Sequence, residues 1–170
     1  DAGYRLIIVL AGMHNNLREQ TQTRLDEQLF TGDDWGKLTG PSKDFDHQLS
    51  PRASFKYTPL LCAVVKKNKK VLQKLVEMLG DLGPDVLQKF PVLIIDDEAD
   101  QASPNSRSQY KEVSAVNEKL RQLWGKVITG TYVAYTATPF ANVLINPDDK
   151  EDLFPSDFIV TLEPGEGYFG

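Results

Sequence analysis

A chain of 170 residues with 41% hydrophobic side chains is long enough for one packed domain and too apolar to stay unfolded. Its formal net charge of −5 excludes a globally basic nucleic-acid binder, so any such contact has to come from a local patch. The single cysteine, Cys62, excludes an internal disulfide and a cysteine-rich zinc site, and its place in "LLCAVV" reads as a buried structural thiol.

The chain opens on "DAGYRLIIVL", one short step before a strand, and closes on "EPGEGYFG", edges that read as those of an excised segment. No apolar run approaches the ~20 residues that cross a bilayer, and no basic-then-apolar leader is present, so a cytoplasmic protein with no membrane contact is expected. Five apolar runs are predicted strands: 5–11, 60–65, 92–96, 131–136 and 158–162. The first three are continuously apolar, as expected where both sheet faces are covered. After the first comes a helix over roughly 16–30, with Leu17, Thr21, Leu25 and Leu29 on one face, Asn16 as N-cap and Glu19 completing a capping-box-like pair. The segment 31–59 has no sustained period and reads as a surface excursion. Val71, Leu72, Leu75, Val76 and Leu79 mark a second helix, capped by Asn68 and ending near Gly80, and a short helical turn starts at Pro84. Val113, Val116, Leu120 and Leu123 define another helix, ending near Gly125. Alternating strand and helix predicts a three-layer α/β fold with a mostly parallel sheet, whose ligands bind beyond the carboxyl ends of the strands.

At one such end stands "PVLIIDDEADQASPN", residues 91–105, with Asp96, Asp97, Glu98 and Asp100 crowded behind an apolar run. A strand ending in Asp-Glu suits nucleotide hydrolysis. The aspartate can hold magnesium, which takes few carboxylates and fills its shell with water and phosphate oxygens. The glutamate can polarise an attacking water. A solvated acidic turn is the bland alternative for such a cluster.

"DEAD" at 97–100 resembles motif II, the Walker B element, of superfamily-two helicases, and "YTATPFAN" at 135–142 resembles their motif III. The longer strings "RLIIVLAGMHNNLREQTQTRLDE", "LIIDDEADQASPN" and "GTYVAYTATPFANVLI" are similar to the Z-one domain family. That family carries an endonuclease label and consists of helicase-like ATPase modules in large bacterial proteins, some linked to restriction or phage defence. The resemblance touches most of the chain outside 31–59 and implies a partial RecA-like, P-loop-NTPase domain over 1–170. It implies motif Ia near 11–18, motif II at 96–100 and motif III at 136–138. By it, Asp97 would be the magnesium ligand, Glu98 would activate water, and Asp100 would bond to motif III. Thr136 and Thr138 would link the ATP state to movement of a second RecA-like domain. His14, Asn15, Asn16 and Arg18 would touch a nucleic-acid backbone, DNA being the expected partner. His14 as a plain loop residue and Asn16 as a plain helix cap stay open. Asp96 is an extra acid without a role.

"VVKKNKKVLQK" adds Lys66, Lys67, Lys69, Lys70 and Lys74 at a strand end and helix start, either a phosphate-binding patch or a solvated basic face. No G-x-x-x-x-G-K-[ST] cradle occurs. The resemblance places that loop just upstream, and an arginine finger and second RecA-like domain downstream. The parent protein would use ATP and magnesium, and these 170 residues alone would bind neither cofactor and hydrolyse nothing. Loss of the phosphate-loop strand would expose an edge at 131–136. No E-x-K occurs, and the D-x-K at Asp148–Lys150 sits in a turn, so a common metal nuclease is disfavoured. No G-x-S-x-G elbow is present, and neither His14 nor His47 has a nucleophile context. A non-hydrolysing interaction module on the ATPase fold is the alternative from another class.

Overall fold

The computed structural model describes residues 2–45, 60–101, 111–140, 153, 155–163 and 165. Residues 46–59 of the excursion, with His47, and the Asp148–Lys150 turn lie outside them. The strands are β1 (Leu6–Ala11), β2 (Trp35–Lys37), β3 (Leu60–Val65), β4 (Val92–Asp97) and β5 (Gly130–Ala134). The helices are α1 (Asn15–Gln28), α2 (Lys69–Leu82), α3 (Pro84–Leu87) and α4 (Lys111–Trp124). Sheet order is β2-β3-β1-β4-β5, and every neighbouring pair is parallel. Ile8 lies opposite both Ala63 and Ile94, so the three continuously apolar runs form the middle of the sheet. Among the described residues β5 is an edge strand, as expected of 131–136.

One face of the sheet carries the main core. Leu6, Ile8 and Leu10 of β1 pack with Leu72 and Leu75 of α2 and Leu120 of α4, all at most 1% exposed. α2 keeps the predicted apolar stripe: Asn68 caps it by accepting from the Lys70 amide at 2.9 Å. The helix runs two residues past Gly80 and stops at Gly83, whose φ of 76° suits a residue without Cβ. Pro84 opens α3, where its fixed φ and missing N–H do no harm. The other face is smaller. Val9, Cys62, Val64 and Phe30 form its buried cluster. Burial, with Asp26 adding to it and Lys37 opposing, pushes the Cys62 thiol up to about 12, so it stays protonated and inert. β1 and β3 are buried on both faces, but β4 alternates, with Leu93, Ile95 and Asp97 only half-buried. The cause is that α1 packs over β1 and β3 and leaves β4 partly uncovered.

Three expectations need correction. The run 158–162 forms no strand: Phe158, Ile159, Val160 and Leu162 are exposed, and β propensity alone does not bring a segment into the sheet. A short strand, β2, instead rises from within the excursion and pairs with β3. The start of α1 also differs. The cap is His14, without a side-chain bond, so Asn16 lies inside the helix and the Asn16–Glu19 capping pair does not form.

The buried line of α1 is polar. Arg18 and Gln22 are buried, while Leu17, Thr21 and Leu25 are half-buried and Leu29 is exposed. The Arg18 guanidinium donates to Gly40 O at 3.0 Å, to Val64 O at 3.5 Å and to Pro41 O. The Val64 amide donates to Thr39 Oγ1 at 2.8 Å, and that hydroxyl donates to Gln22 Oε1 at 2.7 Å. These groups satisfy backbone polar atoms where the chain leaves β2 and β3 the end of its ladder. Arg18→Met, which keeps bulk but strands the carbonyls, is expected to lower the unfolding free energy by about 2–3 kcal/mol. Denaturant titration checks this, with exposed Glu19→Ala as the unaffected control.

Candidate functional site

β4 lies between β1 and β5, and its side chains alternate between the two faces. The alternation parts the acidic cluster. Asp96 follows Val92 and Ile94 onto the face covered by α2 and α4 and is fully buried. Asp97 falls on the less covered face, and Glu98 and Asp100 follow in the turn after the strand. Like charges that would repel in one plane are thereby sent to different surroundings.

Asp96 is neutralised from within. Its Oδ1 lies 2.8 Å from Lys67 Nζ, and its Oδ2 accepts the Tyr132 hydroxyl at 2.6 Å. Lys67 follows β3 by two residues and is 2% exposed. Its ammonium also donates to the carbonyls of Glu98 at 2.6 Å and Gln101 at 3.1 Å. Lys67 therefore does not face solvent, and its ammonium is turned into the protein, which corrects its assignment to the basic patch. Arg18 is corrected for the same reason, being buried against three backbone carbonyls.

Glu98 has φ of 51°, the left-handed region that side chains other than glycine rarely adopt. Such a backbone persists where its surroundings over-determine it. Its carbonyl accepts from both Lys67 Nζ and the Gln101 amide, the latter at 2.9 Å. Its carboxylate lies over Gly12, in the turn after β1: a Cβ on Gly12 would stand 2.8 Å from Glu98 Oε2 and 2.7 Å from Leu17 Cδ2. Gly12 is itself left-handed, with φ of 57°.

Asp100 closes the site toward β5. Its two oxygens accept separate hydroxyls, Thr136 Oγ1 at 2.6 Å and Thr138 Oγ1 at 2.8 Å. Thr136 Oγ1 also accepts the Thr138 amide at 3.0 Å, which shapes the loop. Desolvation raises the Asp100 pKa, but the Thr136 and Thr138 bonds, a backbone bond and the Lys67 charge outweigh it. The carboxyl sits below the usual aspartate value. The predicted link between 97–100 and 136–138 is thus present as bonded geometry.

His14, Asn15 and Asn16 are exposed at the start of α1. Asn15 Oδ1 accepts Lys66 Nζ at 2.7 Å, bringing these candidates to one outer rim. Of the predicted backbone-contacting residues, His14, Asn15, Asn16 and Lys66 share this rim. Gly12 and Tyr132 were not singled out in the sequence. A glycine directly after a strand, and a hydroxyl in an apolar strand, are the signals that point to them.

Among the described residues, no group of three or more His, Cys, Asp or Glu side chains is gathered to hold a metal ion. Asp97 offers one half-buried carboxylate, whose Oδ1 accepts the Glu98 amide at 3.0 Å. One hard oxygen donor fits an ion of the magnesium kind, completed by phosphate and water, and does not fit an all-protein cage.

Gly12→Ala is expected to lower stability by about 1–3 kcal/mol, combining left-handed strain with displacement of Glu98. Gly32→Ala, with φ of 84° and open space around it, isolates the backbone part, and denaturation of both variants separates the two contributions. The depressed Asp100 value sets a pH dependence. Its contribution is complete above the ordinary aspartate pKa of about 3.9 and is lost as pH falls through the lower folded value. The Thr138 amide signal in an NMR titration is expected to shift with a midpoint below ~3.9. A midpoint at or above that value would contradict the bonded pair.

No helix among the described residues is long and apolar enough to cross a membrane. No family model, curated protein or solved structure matches the chain.

Proposed function

We propose that the chain forms the magnesium-binding and water-activating part of a RecA-like nucleotide site in an ATP-dependent, helicase-like DNA-processing protein of the Z-one domain type. The observation that carries this reading is the Asp100 carboxylate accepting both the Thr136 and Thr138 hydroxyls across the ends of β4 and β5. An acidic turn that is merely solvated needs no such two-pronged tie to the next strand. Support comes also from placement. Asp97 and Glu98 leave an interior strand at the carboxyl edge of a parallel sheet, where ligands of open α/β folds bind.

In this reading Asp97 holds the ion, which when bound neutralises phosphate charge. Glu98 orients a water and takes up its proton. Asp100 ties the turn to Thr136 and Thr138, the route by which a second RecA-like domain senses the nucleotide. The rim of His14, Asn15, Asn16 and Lys66 faces DNA as a backbone contact. No G-x-x-x-x-G-K-[ST] cradle is among these 170 residues, and in this reading another part of the polypeptide would supply one.

Glu98→Gln in the full-length protein tests this. ATP turnover is expected to fall by at least about 10²-fold while magnesium–ATP affinity is kept. Wild-type turnover in that variant would sink the assignment. Retained nucleotide binding with no turnover even before mutation would favour a regulatory module on the same fold.

A further inference from the structure

We propose that Lys67 is the positioning residue of Glu98, fixing the backbone and the seat of the carboxylate that activates water; this rests on the hydrolytic reading above. A lysine ammonium has three donors; here it donates to Glu98 O and Gln101 O and stands 2.8 Å from Asp96 Oδ1 as an ion pair. All three acceptors belong to the segment 96–101. The ammonium therefore sits inside the turn and spans it from the strand end to its last residue.

The same residue also holds the opposite wall. The Lys67 amide donates to Gly12 O at 2.7 Å, and Gly12 is the residue over which the Glu98 carboxylate lies. One residue thus sets both the carbonyl of Glu98, through its side chain, and the floor beneath the carboxylate, through its backbone. Glu98 needs such restraint, because its left-handed backbone relaxes readily once unsupported.

Asp96 gains a role from this. A buried ammonium requires a countercharge, and Asp96 supplies it while Tyr132 occupies its other oxygen. The extra acid ahead of the four-residue box is the partner that lets an uncharged pocket hold Lys67. Lys67 is buried and bonded within the protein, so its loss is expected to act on the rate and leave binding alone.

The test uses the full-length protein. Lys67→Met combined with Asp96→Asn removes both charges together and avoids an orphaned ion. ATP turnover, magnesium–ATP affinity and amide hydrogen exchange are compared with wild type and Glu98→Gln. The double variant is expected to lose at least tenfold in kcat, with ATP affinity within threefold and exchange at residues 98–101 at least tenfold faster. Exchange within β4 is expected to stay unchanged. If the double variant does not fold, Lys67→Arg carries the test. It keeps the charge, but its planar fork cannot reach all three acceptors, and the same split between rate and affinity is expected. A folded variant with wild-type kcat and unchanged exchange at 98–101 overturns the proposal. So does a loss of affinity in step with kcat, which marks a general structural strut. If Glu98→Gln itself leaves kcat unchanged, the hydrolytic reading is what fails. Exchange at 98–101 then decides alone whether Lys67 holds the turn.

Discussion

A lysine ammonium that water does not reach must find both a countercharge and acceptors for its remaining protons. Removing a charged group from water costs several kcal/mol after relaxation, and only close, well-bonded partners offset that. Lys67 meets this demand from Asp96, Glu98 and Gln101. The turn could not adopt another shape without leaving the ammonium short of partners, and Lys67 could not be buried if the turn were different. The left-handed Glu98 follows from this mutual requirement. Its strain of order 1–3 kcal/mol is smaller than the penalty for breaking a buried pair from one side, about 3–5 kcal/mol, so the turn keeps its shape.

The same rule governs the other side of the sheet. Parallel strands end with carbonyls and amides that have no ladder partner, and water reaches few of them when loops fold over the edge. Arg18 answers for Gly40, Pro41 and Val64, and the Thr39–Gln22 pair answers for the Val64 amide. Two cations from the segments that follow β1 and β3 are thus turned inward at the carboxyl edge. What stays outside is His14, Asn15, Asn16 and the half-buried Lys66, with exposed Lys69 and Lys70 at the start of α2. A basic residue beside a strand end has two destinations, and burial separates them.

That distinction explains what could be read from the sequence. Continuous apolar runs at 60–65 and 92–96 and the stripe through Leu72, Leu75 and Leu79 declare strands and a helix because periodicity reports burial directly. The Asp100 tie to Thr136 and Thr138 was legible because its residue types and order carry a chemistry. Lys67 and Arg18 were misplaced because charge in a sequence suggests solvent, and only three-dimensional packing says which cations are enclosed. Asp96 was unassigned for the matching reason: its partner Lys67 stands just past β3, two strands away in the sheet and 29 positions back. The run 158–162 was read as a strand since propensity is local, whereas joining a sheet depends on tertiary placement that propensity does not report.

The turn is tied to β5 by two rungs of unequal character. Asp96 accepts the Tyr132 hydroxyl in a buried setting, and its carbonyl accepts the Tyr135 amide at 2.8 Å. The Ala99 amide continues the ladder to Tyr135 O at 2.9 Å. Beyond it, Asp100 reaches Thr136 and an exposed Thr138 through side chains alone. Water competes poorly at the first rung and well at the second, so the outer rung opens at lower cost. Glu98 lies between them. The Asp100 bonds to Thr136 and Thr138 form the outer tie, the Ala99 amide bond to Tyr135 O stands between them and Glu98, and Lys67 and Asp96 hold the inner end.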